Sequence, residues 1–377
     1  MALPTPSSVP VSYPRHVDEL ETPVVTVDLT TMERNIDEYA EIADEHDVRL
    51  RSHAKTHKIP ELAHHQNEKT GGGIVCQTLS EAEVMAQNGI DDIYLSYMVV
   101  DERKLDRLVR LSEKLDSFVT TVDCEGNINP LQTVAEEHGE RVDVVLEIDA
   151  GLNRVGTSGE QAVEMARYID DQSALNLVGV MAFEGHVFGR DDVRTADKYE
   201  TACMEIMDEV ARTVDRIEDV GIEVDEVKVG STATSRYSCR HPVVTEINPG
   251  MYMFNDANLV RGSPDVTKAD CALSVLTTVI SKPTSDRVVV DAGSKSISFD
   301  TGQDPIPVDS DVEYYNASEE HGWVDMSRAE SDISVGDRLE FIPPHVCTTV
   351  NLHDTIVGVD GDDVREIWNV QARGKVR

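Results

Sequence analysis

From about residue 23, short apolar runs alternate with stretches whose apolar side chains recur every three to four residues, the pattern of strands followed by amphipathic helices. Strands are predicted at Val24–Asp28, Val48–Lys55, Gly73–Thr78, Asp92–Tyr97, Ser117–Asp123, Val142–Asp149, Leu177–Phe183 and Glu226–Gly230, with a short ninth at Val244–Asn248. Helical patterns lie between them at Thr31–Glu45, Ser80–Asn88, Glu102–Leu115, Pro130–His138, Gly159–Asp170 and Arg194–Val220. Eight or so strand–helix units over about 240 residues predict an α/β fold of the (β/α)8 TIM-barrel type. An open doubly wound sheet would alternate in the same way, but no GxGxxG follows the first strand to support it.

After Gly262 the period changes. Cys271–Ile280, Arg287–Asp291, Val312–Tyr315, Asp337–Phe341 and Thr355–Val359 read as strands separated by turn residues, with no helical pattern. The expected organisation is therefore a barrel over residues 20–262 and a β-rich domain made of residues 1–19 and 263–377.

Composition narrows the possibilities. The 377 residues carry 71 Asp and Glu against 34 Lys and Arg, a formal net charge of −37, which would repel the phosphates of nucleic acid. The acids come in short pairs such as Asp91-Asp92, Asp170-Asp171 and Asp362-Asp363, as expected of a hydrated surface in a halophile-like cytoplasm, where salt screens the repulsion. Six scattered cysteines without a CxxC predict buried thiols rather than a secreted scaffold. The N-terminus lacks a basic start followed by an apolar run, and no stretch of about 18 apolar residues occurs, so a cytoplasmic protein without a membrane span is expected.

Two segments concentrate chemistry. In His53-Ala-Lys55-Thr-His57, three bases stand at i, i+2 and i+4, which an extended strand would aim to one side. Strand ends at the C-terminal face of a barrel build its active site, and a lysine buried there is paired, neutral or covalently used. A lysine of lowered pKa is a partner for an aldehyde, including that of pyridoxal 5'-phosphate. Small residues and hydroxyls in Gly230-Ser231-Thr232-Ala233-Thr234-Ser235 and in Asn248-Pro249-Gly250-Met251-Tyr252 could close backbone N–H groups around its phosphate. The second segment carries His345 and Cys347 at i and i+2, an imidazole and a thiolate suited to Zn²⁺ or a similar ion, with positions left open for water or substrate.

Taken in order, HAKTHK, EIDAGLNRVG, EGH, GSTATS, INPGMYMFND, DAGSKS, PPHVCTTVNLHD and IWNVQARG resemble the D-threonine aldolase and D-serine dehydratase group, pyridoxal enzymes of the alanine-racemase-like fold. The resemblance runs from about residue 20 to 374. It implies Lys55 as the lysine that carries pyridoxal phosphate and Ser231, Thr232 and the backbone of Gly250, Met251 and Tyr252 as the phosphate site. It further implies His345 and Cys347 as ligands of a divalent metal (Zn²⁺ or Mn²⁺), with Arg154 and His186 lining the pocket. His57 is the candidate base, and His53 a neighbour of the cofactor.

Where related racemases carry arginine in an RPG motif facing the pyridine nitrogen, this chain has Asn248 in NPG, and no counterpart of their tyrosine base is evident. The implied activity is cleavage of a D-3-hydroxy amino acid, D-threonine to glycine and an aldehyde, by a homodimer with shared active sites. Alternatives are dehydration of D-serine, cleavage of 3-hydroxy-D-aspartate, and a non-catalytic pyridoxal-binding role. The His-x-Cys pair favours the dehydratases, whereas TTVNLHD and IWNVQARG favour the aldolases.

Overall fold

Eight parallel strands close into a ring in the computed structural model, which describes residues 14–309, 311–329 and 332–377. The first is interrupted at Arg51, so that Arg49–Leu50 pairs with Glu246–Ile247 and Ser52–His53 pairs with Ile74–Cys76. Asp92–Leu95, Ser117–Val122, Val142–Ile148, Leu175–Ala182 and Glu226–Val229 complete the ring in chain order. Most of these segments are buried on both faces, which is why they read as apolar runs rather than as strict alternation. Gly179 serves close strand packing, since a Cβ there would lie 2.0 Å from the Glu226 carbonyl oxygen.

Helices surround the ring at Leu29–Glu45, Pro60–Thr70, Leu79–Gln87, Glu102–Ser112, Glu125–His138, Gly159–Asp170 and Ala196–Glu218. Asp28, Thr78 and Asp101 each accept a first-turn N–H and so fix three of the helix starts. Pro60–Thr70 (PELAHHQNEKT) escapes the periodicity analysis because it buries only Pro60, Leu62, Ala63 and Gln66.

Val24–Asp28 is the main correction to the sequence reading. It is followed at the usual spacing by an amphipathic helix that buries Met32, Ile36, Tyr39 and Ala43, so locally it looks like a barrel unit. It pairs instead with Leu273–Ser281 (antiparallel) and Thr355–Asp360 (parallel), in the β-rich sheet. The barrel therefore begins at Arg49, and Glu246–Ile247, expected as a surplus ninth strand, is the one that closes it. In the second sheet Leu273–Ser281 also pairs with Arg338–Ile342 and Arg287–Val290, and Thr355–Asp360 forms a hairpin with Asp363–Asn369. His16 bridges to Asp363, while the expected contribution of residues 1–13 lies outside the described residues.

The barrel interior is ionic below the mouth. Arg51 pairs with Asp92 (2.5 Å) and Glu246 (3.2 Å), and Lys228 with Glu246 (3.0 Å) and Glu226 (2.7 Å), all but Asp92 and Glu226 being buried. Each cation faces carboxylates on both sides, which is the condition under which buried charge is tolerated.

Candidate active site

Lys55 stands at the C-terminal end of the first barrel strand, in a cavity of about 310 Å³ walled by both parts of the chain. The backbone does not continue as a strand there. Ser52–His53 passes into a single 3-10 turn at Ala54–Thr56, so the two-residue alternation expected for His53, Lys55 and His57 is lost. His53 and Lys55 face the cavity, whereas His57 is fully buried behind it. Its Nδ1 accepts the Ile59 N–H (3.0 Å) and its Nε2 donates to Gln66 Oε1 (3.1 Å). Burial holds its pKa down at about 4, a neutral packing histidine. The geometry thus removes His57 as the base that contacts a ligand.

Gln77, which motif reasoning missed, organises the lysine. Its Oε1 accepts from Lys55 Nζ (3.2 Å) and from His53 Nε2 (3.1 Å), and its Nε2 donates to the Ser96 carbonyl (2.8 Å). His53 Nδ1 accepts the Lys55 N–H at 3.4 Å, so neither ring nitrogen keeps a free lone pair. Burial and the neighbouring Lys55 push the His53 pKa well below its ordinary value. Burial likewise lowers the Lys55 pKa, an effect opposed by Cys347 and reinforced by Arg154. The neutral amine is therefore more accessible than in an exposed lysine.

Gly230, Ser231, Thr232, Gly250 and Met251 line the same cavity. Among the described residues the N–H groups of Ser231, Thr232 and Gly250 have no protein acceptor, which leaves them for an anion. Thr232 Oγ1 accepts the Met251 N–H (2.9 Å), tying the two loops together, and the Tyr39 hydroxyl donates to the Thr232 carbonyl (2.6 Å). Tyr252 does not reach the cavity with its side chain, because its hydroxyl is engaged by Ser52 and Gln66 beneath the loop. Asn248 does line it. Its Nδ2 is drawn to Glu246 Oε1 (2.9 Å), and its buried Oδ1 has no partner among the described residues, an acceptor in reserve for a ligand. Unsatisfied donors, an unsatisfied acceptor and a lysine around one cavity fit pyridoxal phosphate.

Arg154 lines the cavity with its guanidinium 4.9 Å from the Phe183 ring centroid and 3.8 Å from Glu147. His186 does not line it; its ring packs against Gly151. Glu147 is buried and its pKa is pushed up to about 7 by burial, with Arg154 opposing and Asp123 and Asp149 adding to the shift. A carboxyl whose folded pKa exceeds its unfolded value binds extra protons in the native state, so its contribution to stability falls as pH rises from about 4.5 to 7. The expected result for Glu147→Gln is loss of this term. Its stability relative to the parent should improve by up to about 3 kcal/mol between pH 4.5 and pH 8, read by urea unfolding of the cofactor-free protein.

His345 and Cys347 close the cavity from the β-rich domain. They do so through a helix start rather than the expected extended segment: His345 is the extended N-cap residue of Val346–Val350, and Cys347 lies in its first turn. The Thr56 hydroxyl is 3.4 Å from the Cys347 sulfur, which puts the pair next to Lys55 in space. Although burial opposes it, Cys347 and Asp300 push the His345 pKa up to about 10. The donor set, one imidazole and one thiol at the rim, suits a divalent ion with open positions. Among the described residues no cluster of three or more His, Cys, Asp or Glu ligands occurs.

The family described as "Alanine racemase, N-terminal domain" matches residues 27–258, and "Putative serine dehydratase domain" matches residues 272–359. A D-threonine aldolase from Arthrobacter sp. is 33% identical over 94% of this chain and 93% of its own length. The chain belongs to the D-threonine aldolase and D-serine dehydratase family. Within it, a 3-hydroxy-D-aspartate aldolase of Paracoccus denitrificans (strain Pd 1222) is 34% identical, covering 95% of this chain and 93% of that protein. The crystal structure of D-threonine aldolase from Filomicrobium marinum superposes with a TM-score of 0.89 at 33% identity, covering 97% of this chain and 99% of that one. The alanine-racemase-like fold expected from the motifs is therefore established.

Proposed function

We propose that the protein is a lyase dependent on pyridoxal phosphate and a divalent metal that cleaves D-3-hydroxy amino acids, with D-threonine giving glycine and acetaldehyde. The observation that carries this reading is the single cavity in which Lys55, the unsatisfied N–H groups of Ser231, Thr232 and Gly250, and the His345/Cys347 pair meet. Lys55 would hold the aldehyde of the cofactor and the two loops its phosphate, Asn248 Oδ1 would accept a hydrogen bond from it, and His345 with Cys347 would hold the metal. When bound, the pyridine ring accepts the electron pair released at the carbon bearing the amino group, and the metal acidifies a coordinated hydroxyl.

The chain's own residues supply the rest. Arg154 offers a cation for a carboxylate or phenolate at the mouth, braced against Phe183. Gln77 fixes the direction of the Lys55 amine, and the amine, kept accessible as the neutral form by burial, can take and return a proton at Nζ. His53, with both nitrogens engaged, orients rather than titrates. Met181 and Phe183 present an apolar wall that limits water around the reacting carbon.

Dehydration is the second reading, favoured by the match of residues 272–359, which include His345 and Cys347, to the dehydratase domain. The purified protein is to be incubated with D-threonine, 3-hydroxy-D-aspartate and D-serine. Glycine from the first two substrates is the expected result. Pyruvate and ammonia from D-serine without glycine from the others would replace the aldolase reading. Zn²⁺ is the metal best matched to an imidazole–thiolate pair, with Mn²⁺ the alternative. We also read the protein as a homodimer. Tyr97 and Val100, 51% and 60% exposed beside the barrel mouth, offer apolar surface for a partner, and sedimentation would measure the state. The net charge of −37 supports function at high salt, and no described helix is long and apolar enough to cross a membrane.

A further inference from the structure

We infer that Asp300 is a positioning residue for the metal pair, fixing the His345 imidazole so that Nε2 alone is presented to the ion. This rests on the assignment of His345 and Cys347 as metal ligands made above. Asp300 Oδ2 lies 2.9 Å from His345 Nδ1. In the neutral imidazole that binds a metal, the Nε2 proton having been displaced by the ion, donation of Nδ1–H to a carboxylate leaves the one free lone pair on Nε2, the atom a metal requires.

The carboxylate is itself held. Ser298 Oγ donates to Asp300 Oδ1 (3.0 Å), and Thr348 Oγ1, from the turn that follows Cys347, donates to the same oxygen (3.2 Å). One oxygen therefore faces the imidazole while the other is fixed by two hydroxyls, one from its own segment and one from the metal segment. The backbone of that segment is anchored separately. Asp256, buried at the end of the phosphate-loop region, accepts the Val346 N–H at Oδ2 (3.2 Å) and the Leu259 N–H at Oδ1 (2.9 Å). Asp256 thus places the chain, and Asp300 orients the ring. The Asp300 side chain is 43% exposed, so removing it frees the ring without opening a buried void.

The test uses the full-length protein loaded with pyridoxal phosphate, stripped of metal, and titrated with Zn²⁺ and separately with Mn²⁺ against a competing chelator. Asp300→Ala is expected to weaken metal binding about 10- to 100-fold, the range typical of lost outer-shell partners. The melting temperature of the metal-free form should stay at the parent's value. Asp300→Asn retains an amide oxygen that can accept from Nδ1–H and should recover part of the lost affinity. Unchanged affinity in both variants would overturn the inference. So would a loss in Asp300→Asn as large as that in His345→Ala, which would make Asp300 a direct ligand. If the parent binds neither ion, or His345→Ala and Cys347→Ala bind as the parent does, the metal assignment itself fails, a result distinct from failure at Asp300.

Discussion

Lys55→Ala is expected to remove glycine formation from D-threonine by at least about 10³-fold, or about 4 kcal/mol of barrier, together with the absorbance of the lysine-bound cofactor. The size of the effect follows from the cavity wall. Lys58, the neighbouring amine, is paired with the fully buried Glu81, so its ammonium has a partner and a fixed place. Lys228 is sealed in the barrel interior between Glu226 and Glu246. Among the described residues Lys55 is the lysine that lines the cavity, and no second amine can take its role. Because burial lowers its pKa, the parent should capture added pyridoxal phosphate with a pH profile that levels off below 10.5, the ordinary value of a lysine amine. Residual activity in Lys55→Ala within about tenfold of the parent would mean that another group carries the cofactor.

Lys55 could be read from the sequence because its evidence is local: a lysine between two histidines at the end of an apolar run, in a chain poor in lysine. The loops Gly230–Ser235 and Asn248–Tyr252 were readable for the same reason, since small residues at strand ends permit close backbone approach. What the sequence concealed depends on pairing at long range. Val24–Asp28 has the composition and following helix of a barrel strand, and only its hydrogen bonds to Leu273–Ser281 and Thr355–Asp360 place it elsewhere. Strand alternation would bring His57 to the cavity, but a 3-10 turn breaks that alternation after His53. Gln77 and Asp300 carried no motif at all. Gln77 acts through one amide oxygen shared by two partners 22 and 24 residues away, and Asp300 through an imidazole 45 residues away.

Removal of the metal is the second large effect expected. Dialysis against a strong chelator should reduce D-threonine cleavage about 10²- to 10³-fold, the several kcal/mol typical of Lewis-acid stabilisation, while leaving the cofactor bound. Zn²⁺ or Mn²⁺ should then restore the rate. His345→Ala and Cys347→Ala should show the same loss without metal rescue, because each removes one of the two proposed side-chain ligands. The two halves of the site are separable on this view. The lysine and loops belong to the barrel and would hold the cofactor, while His345 and Cys347 come from the start of helix Val346–Val350 in the other part of the chain, next to the lysine segment at the 3.4 Å Thr56–Cys347 contact. A His345→Ala protein that keeps the cofactor absorbance and loses turnover would demonstrate that separation. One that keeps full turnover after chelation would place the proton chemistry on Lys55 and the barrel alone.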